Sequence, residues 1–116
     1  MPGPKPGMTW RERMTKELNG KVAIVTGAGR NIGRAIALTL AEGGASIVVN
    51  THSNHTEAEA VAREIETAGG KALVHIGDVA DAVAVQAMAN AAVKQFGRID
   101  ILVNNAALRA RSRSPR

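Results

Sequence analysis

The sequence contains no cysteine and no tyrosine, and it has one tryptophan and one phenylalanine. Without cysteine, the chain cannot form disulfide bonds or thiolate metal sites. No apolar run approaches the roughly 18 residues that a membrane-spanning helix needs, and no apolar segment near the N-terminus is typical of a signal peptide. We therefore expect a cytoplasmic protein without a membrane partner. Its 116 residues leave room for one small domain.

Positive charge is concentrated at the two ends of the chain. Residues 1–18 carry a net charge of +2 and residues 109–116 carry +4, whereas residues 19–108 carry −1. A nucleic-acid-binding domain normally places its basic residues on the folded surface, so nucleic acid is not the expected partner of residues 19–108. The Pro/Gly-rich residues 1–18 and the Arg/Ser-rich residues 109–116 are predicted to be a disordered leader and a disordered tail.

Strand and helix patterns alternate between the two ends. Four short apolar runs are predicted strands: VAIV, SIVVN, ALVHI and IDILV. Three amphipathic patterns lie between them. The predicted buried faces are Ile32, Ala35, Ile36 and Leu40 in the first helix, Ala58, Val61, Ala62 and Ile65 in the second, and Val85, Met88, Ala92 and Phe96 in the third.

The expected helix ends agree with this alternation. Thr56 and Glu59 form a possible capping box for the second helix. The pair Gly69-Gly70 is predicted to end that helix, and Gly97 the third. Apolar strands alternating with amphipathic helices indicate a parallel sheet covered on both faces. The predicted fold class is α/β, the first half of a Rossmann-type doubly wound sheet over residues 19–108, in the order β-α-β-α-β-α-β.

A glycine-rich loop follows the first predicted strand in the sequence VAIVTGAGRNIGRA. Gly27 and Gly29 begin the dinucleotide-binding fingerprint G-x-G-x-x-G, but Ile32 occupies the third glycine position and Gly33 follows one residue later. In a doubly wound sheet this loop lies where ligands bind. Its backbone N–H groups and the following helix favour a phosphate. Alternatively, the glycines only form a tight turn.

The late glycine fits a different pattern, T-G-x-x-x-G-x-G, which is typical of the short-chain dehydrogenase/reductase family. The sequence resembles it at Thr26, Gly27 and Gly33, with Asn31 in place of the middle glycine. Asparagine tolerates a positive φ better than most residues. The segments GDVAD and NNAA resemble two further motifs of the family, and 3-oxoacyl-thioester reductase-like members are the most similar.

The resemblance implies a nicotinamide cofactor and roles for individual residues. Asp78 would accept a hydrogen bond from the adenine amino group, with Val79 beside the ring; the alternative for Asp78 is a helix cap, for which Asp81 is better placed. Asn104 would tie the fourth strand to its neighbours, and Ala106 would leave space for the nicotinamide ribose. Alternatively, this segment is only a strand terminus. The remaining candidate cofactor-binding residues are Gly27, Gly29, Arg30, Asn31, Ile32, Gly33, Asn50 and Thr51.

Charge near the second strand bears on the choice between NADP(H) and NAD(H). NAD-specific relatives usually hold the adenosine ribose with a carboxylate just after this strand, but positions 50–53 contain Asn50, Thr51, His52 and Ser53, and no acid precedes Glu57. Arg30 resembles the basic residue that binds the 2′-phosphate in NADP-dependent members. NADP(H) is therefore the expected cofactor. Alternatively, Arg30 is a solvated residue at a loop tip.

The family's catalytic residues have no counterpart in this sequence. The resemblance implies a Tyr-x-x-x-Lys motif and a serine for hydride transfer between a carbonyl and an alcohol, but the chain has no tyrosine. We assign no catalytic residue and expect a truncated cofactor-binding fragment that is inactive alone. Substrate would bind the full-length enzyme, and full-length members are usually homo-oligomers.

Two alternative functions remain at this point. The chain could be a non-catalytic nucleotide-binding or partner-binding module, or the RSRSPR tail could bind RNA or protein, as arginine-serine repeats do. His52 and His55 have metal-like spacing, but no third ligand is nearby. We therefore predict no metal site.

Overall fold

The structure, a computed structural model, describes residues 17–105. The predicted tail and all of the predicted leader except Glu17 and Leu18 lie outside this range. Strands and helices alternate along it in the predicted order. They are β1 (Val22–Val25), α1 (Asn31–Glu42), β2 (Ser46–Thr51), α2 (His55–Thr67), β3 (Ala72–Ile76), α3 (Ala82–Phe96) and β4 (Ile101–Val103).

The four strands form one parallel sheet in the order β3-β2-β1-β4. From β1 the chain moves outward through β2 to β3, and it then returns so that β4 pairs with β1 on the other side. The strand order therefore reverses between β1 and β4, which is the position where doubly wound sheets bind ligands. The predicted fold class, the first half of a Rossmann-type sheet, is confirmed.

Helices cover both faces of the sheet, and the central strands are accordingly apolar. Every residue of β1 is buried, and side chains alternate between the two faces. On one face the larger core includes Val25, Ile47 and Ile65. On the other, Ile24 and Val48 pack with Met88 and Ala92 of α3. Burial on both faces explains why β1 reads as a continuous apolar run.

The predicted buried faces are correct for α2 and partly correct for α3. Residues 58, 61, 62 and 65 of α2 are all buried. In α3, Met88 and Ala92 are buried and Phe96 packs against the smaller core, whereas Val85 remains exposed. Val85 lies in the first turn of α3.

The predicted buried face of α1 is wrong at its N-terminal end. Ile32 is 70% exposed, Ala35 is exposed, and the buried residues are Gly33 and Ala37. A Cβ atom at position 33 would overlap the carbonyl oxygen of Gly27. The helix therefore approaches the loop through small residues. A search for large apolar side chains misses such a face.

The N-terminus of α2 differs from the predicted capping box. The side chain of Asn54 accepts a hydrogen bond from the N–H of Glu57 at 3.0 Å, so Asn54 caps α2 and the predicted Thr56–Glu59 capping box is wrong. At the other end, Gly69 has a φ of 96°. Gly97 ends α3 with a φ of 89°, in the left-handed region that favours glycine.

Candidate functional site

The loop between β1 and α1 takes the conformation that its unusual glycine pattern requires. Gly27 has a φ of 63° and Asn31 a φ of 56°, and Asn31 is the only non-glycine residue with a positive φ in the described range 17–105. Asparagine thus replaces the middle glycine in the left-handed region, as expected. Gly33 is needed for the close approach of α1 to Gly27. The late glycine is therefore a packing requirement of this loop.

Backbone hydrogen bonds fix the loop to both neighbouring strands. Ala28 N–H donates to the Asn50 carbonyl at the end of β2 at 2.9 Å, and Thr26 N–H donates to the Val103 carbonyl at the end of β4 at 3.0 Å. Asn105 Nδ2 donates to the Gly27 carbonyl at 3.2 Å. These contacts hold the loop over the carboxyl ends of the strands.

The N-terminus of α1 has no side-chain cap. Its N-cap residue, Arg30, has extended backbone and makes no capping hydrogen bond, whereas Asn54 caps α2 and Asp81 caps α3. The first N–H groups of an α-helix have no partner within the helix, and the helix dipole favours negative charge there. This end of α1 can therefore receive an anionic group such as a phosphate.

A cavity of about 570 Å³ lies beside the loop at the carboxyl ends of β1, β2 and β3. It contains many of the residues predicted from sequence, although these are far apart along the chain. Its lining residues are Gly27, Gly29, Arg30, Asn50, Thr51, His52, Ser53, Asn54, Glu57, Gly77, Asp78, Val79 and Ala80. Asn31, Ile32, Gly33 and Asn104 are not in this lining.

Asn50 and Thr51 mainly hold the cavity wall together. Asn50 is buried, and its Nδ2 donates to the His75 carbonyl at 2.9 Å and to the Gly77 carbonyl at 3.3 Å. Its buried Oδ1 has no hydrogen-bond partner. The Thr51 hydroxyl donates to the Asn54 carbonyl at 3.1 Å. β2 thus presents neutral polar groups, and no carboxylate, at the position where the sequence analysis looked for one.

Asp78 lines the cavity after β3, with Gly77 between the strand and Asp78. Its Oδ1 accepts from Ala80 N–H at 2.9 Å, and its Oδ2 lies 3.4 Å from His52 Nε2. Asp81 caps α3 by accepting from Val83 N–H, so the two aspartates have different structural roles. The contact with adenine remains a prediction for Asp78 and Val79.

Asn104 follows β4, outside the cavity. Its Oδ1 lies 3.4 Å from the Thr26 hydroxyl, which also lies 3.2 Å from the Val103 carbonyl. This contact joins the ends of β1 and β4. Ala106 lies outside the described residues, so its predicted place beside the nicotinamide ribose stays a prediction.

The sequence analysis missed Glu57 as a cavity residue. Its carboxylate Oε2 lies 3.9 Å from Arg30 Nη1. Glu57 was noted as the first acid after β2 but was given no role. Only positions 52–54 separate β2 from α2, so the first turn of α2 returns against the glycine loop. The shortness of this connection was the available signal, since it leaves the start of α2 no room to move away.

The described residues contain neither a metal-binding cluster nor a membrane-spanning helix. Between residues 17 and 105, no three His, Cys, Asp or Glu side chains form a group that could hold a metal ion. His52 lies near Asp78, and His55, the first residue of α2, lies 3.4 Å from Glu59. Over the same part of the chain, no helix is both long and apolar enough to cross a membrane.

Comparison with known proteins places this site in a family context. A family model described as short chain dehydrogenase matches residues 21–115. An uncharacterized oxidoreductase from Methylorubrum extorquens is 53% identical over 89 residues, which cover 77% of this chain and 36% of the relative. A 3-oxoacyl-[acyl-carrier-protein] reductase from Staphylococcus aureus is 49% identical over 88 residues, with 76% and 36% covered.

Solved structures agree with the sequence relatives. A hydroxysteroid dehydrogenase from Escherichia coli has a TM-score of 0.74 and 42% identity over 78% of this chain and 38% of its own. A 7α-hydroxysteroid dehydrogenase complexed with NADH and 7-oxo glycochenodeoxycholic acid has a TM-score of 0.72 and 44% identity, covering 75% and 34%. The chain thus spans little more than a third of these relatives' length. With its sheet order, its glycine loop and the family model in agreement, the chain belongs to the short-chain dehydrogenase/reductase family.

Proposed function

We propose that this chain binds NADP(H) in the cavity at the carboxyl ends of β1, β2 and β3, as the cofactor-binding part of a reductase that interconverts a carbonyl and an alcohol. The observation that carries the proposal is the uncapped N-terminus of α1 beside a cavity with an arginine at its rim. Family membership supplies the class of cofactor.

The residues present fit the phosphates of a dinucleotide. Gly27 and Gly29 of the glycine loop line the cavity and have no side chains to keep a ligand from their backbone. The uncapped end of α1 provides N–H groups and a favourable dipole for the pyrophosphate. Ile32 is exposed at this end. With Asn31, it would contact the part of the cofactor that leads to the nicotinamide.

For the adenosine end, we propose that Asp78 and Val79 bind the adenine and that Asn50 and Thr51 border its ribose. Arg30 would bind the 2′-phosphate, because a guanidinium suits planar contacts with phosphate oxygens. The side chain of Arg30 is 58% exposed and therefore accessible to a ligand. Asn104 and Ala106 would flank the nicotinamide end.

The preference for NADP(H) over NAD(H) is part of the proposal. It rests on Arg30 and on the neutral residues 50–53, whereas the 7α-hydroxysteroid dehydrogenase among the structural relatives was solved with NADH. The family therefore leaves the preference open, and the side chains around the ribose must decide it.

When bound, the cofactor supplies the hydride for carbonyl reduction. The chain's own residues bind and orient it. They supply no tyrosine to protonate the substrate oxygen. We propose that this 116-residue chain is inactive alone. A 3-oxoacyl thioester is one candidate substrate, since the Staphylococcus aureus relative is named for it. The class of carbonyl substrate is otherwise open.

Isothermal titration calorimetry with NADPH and NADH tests the cofactor proposal. We expect NADPH to bind more tightly, because Arg30 can meet the 2′-phosphate. Arg30→Ala should narrow the difference by about 1 to 2 kcal/mol, the size of a hydrogen bond to a charged group. Arg63→Ala is the matched control, because Arg63 is an exposed arginine of α2 that does not line the cavity. Tighter binding of NADH, or equal effects of the two substitutions, would contradict the assignment.

A further inference from the structure

We propose that Glu57 is a specificity-determining residue: its carboxylate holds Arg30 at the ribose-phosphate end of the cavity and thereby limits the preference for NADP(H) over NAD(H). The inference rests on the proposed function, since it concerns the same cavity. The sequence analysis found no acid before Glu57 and gave Glu57 no role, but Glu57 lines the cavity from α2 instead of from the end of β2.

The position of Glu57 is fixed by its backbone. Glu57 is the third residue of α2, and its N–H donates to Asn54 Oδ1 at 3.0 Å. From this point its Oε2 reaches to 3.9 Å from Arg30 Nη1. The carboxylate is thus attached to the rigid start of a helix while the guanidinium is attached to the loop.

Gly29 provides the space that Glu57 occupies. A Cβ atom built on Gly29 would lie 3.0 Å from Glu57 Cβ and 3.1 Å from Glu57 Oε1, and 2.9 Å from Thr51 Cγ2. The side chain of Glu57 therefore packs directly on the glycine loop. Because Gly29 has no side chain, Glu57 can lie at the rim of the cavity, and a ligand can also approach the loop.

The electrostatic consequence depends on the ligand. A 2′-phosphate at Arg30 would compete with the Glu57 carboxylate for the guanidinium and would be repelled by it at short range. A ribose 2′-hydroxyl is neutral and can donate a hydrogen bond to a carboxylate. The charge on Glu57 therefore weakens binding of NADP(H) and does not weaken binding of NAD(H).

The size of the effect is limited by solvent. The side chains of Arg30 and Glu57 are 58% and 32% exposed, and exposed ion pairs are weak. Removing the charge should therefore change NADPH affinity by about fivefold. A carboxylate that served only the dipole of α2 would affect the stability of the helix and would not distinguish the two cofactors.

Glu59 provides a matched control on the same helix. It pairs with His55 at 3.4 Å, its side chain is 57% exposed, and it does not line the cavity. Glu59→Gln removes the same charge two residues away. Glu57→Asp keeps the charge but shortens the side chain, so it separates charge from packing against Gly29.

The test is calorimetric titration of the full chain and its Glu57→Gln, Glu57→Asp and Glu59→Gln variants with NADPH, NADH, adenosine 2′,5′-bisphosphate and AMP. We expect Glu57→Gln to tighten binding of the two 2′-phosphorylated ligands by about fivefold and to change the other two by less than about twofold. Glu59→Gln should change all four by less than about twofold, and Glu57→Asp should stay closer to the original chain than Glu57→Gln does.

Equal changes for phosphorylated and unphosphorylated ligands in Glu57→Gln, or the same gain in Glu57→Asp, would overturn the inference. The same titrations distinguish failure of the NADP(H) assignment from failure of the proposed role of Glu57. If the original chain prefers NADH and Glu57→Gln shifts it toward NADPH, the NADP(H) assignment is wrong and the role of Glu57 stands. If the chain prefers NADPH and Glu57→Gln changes nothing, the role of Glu57 alone is wrong. If no dinucleotide binds, both are wrong.

Discussion

Asp100 connects β1 with the start of β4, at the end of the sheet opposite the cavity. Its Oδ2 accepts a hydrogen bond from Val22 N–H at 2.8 Å, and its Oδ1 accepts from Arg98. The hydrogen bond from Arg98 and then that from the Val22 backbone lower the pKa of the Asp100 carboxyl below its ordinary value. Charged Asp100 therefore stabilises the pairing of β1 with β4.

This pKa direction gives a pH dependence. A carboxyl whose pKa is lowered on folding stabilises the protein above its unfolded pKa of about 3.9, and the contribution is lost as pH falls through the lower folded pKa. We expect Asp100→Asn to lower the thermal midpoint at pH 7 and the difference from the original chain to shrink below about pH 4. Thermal melts by circular dichroism at several pH values measure this. Glu66→Gln, on the exposed face of α2, controls for loss of one negative charge, and a difference that persists at the lowest pH would contradict the mechanism.

Single residues varied in how well the sequence predicted them. The positive φ of Asn31 was predictable, because the residue occupies a glycine position of a short, ordered motif. The proximity of Glu57 to Arg30 had only one indirect signal, the short connection between β2 and α2, since the contact itself depends on how α2 packs against a loop 27 residues earlier. Local conformation follows from neighbouring residues, whereas the charges around a cavity follow from tertiary packing.

At the level of elements, the start of α2 shows which of two sequence signals controls a helix end. Asn54 and the Thr56–Glu59 pair are both typical of N-termini, and the structure uses Asn54. The turn at positions 52–54 is also tied by the Thr51 hydroxyl. A short connection fixed at both ends determines where the helix begins.

The cap can be tested by two substitutions in the absence of cofactor. Asn54→Ala should cost about 1 kcal/mol, the usual value of an N-cap side chain. This corresponds to roughly 4–8 °C in the midpoint of a domain of this size. Thr56→Ala should cost little, because Thr56 is exposed within α2. Chemical denaturation of both variants measures the difference, and a larger loss in Thr56→Ala would restore the capping box.

Helix faces were predictable where large side chains pack and not where small ones do. The buried face of α2 contains valine and isoleucine and was predicted correctly. The face of α1 begins with Gly33 and Ala37, whose small size allows close packing but gives little hydrophobic signal. Ile32 is exposed at the start of α1, although its hydrophobicity indicated the core.

At the level of the molecule, the alternation of strands and helices was sufficient to predict a parallel sheet, because crossover helices put apolar strands in one layer. The assignment to the doubly wound class then implied a reversal of strand order, which the structure has between β1 and β4. The fold class does not tell whether a chain contains catalytic residues, because these must project over the bound cofactor and are not part of the sheet pattern.

We predict that the 116-residue chain has no reductase activity by itself. A positioned general acid contributes about 10²- to 10⁴-fold to such a reaction, and the chain has no tyrosine to serve as one. NADPH oxidation followed by absorbance, with ketones and β-ketoacyl thioesters, should not exceed the rate without protein. The Staphylococcus aureus reductase is a positive control for the thioester arm. Turnover by the purified chain that Arg30→Ala reduces would contradict the prediction.

The hydrogen bond from Thr26 N–H to the Val103 carbonyl has a kinetic consequence. Together with the bond between Val22 and Asp100, which spans 78 positions, it makes the central strand dependent on a partner synthesised much later. Loop-closure entropy must be overcome before such contacts form, and topologies rich in them fold slowly. During synthesis on the ribosome, the edge of β1 that pairs with β4 therefore stays unpaired long after β2 has emerged from the exit tunnel, and the glycine loop acquires its support on that side last.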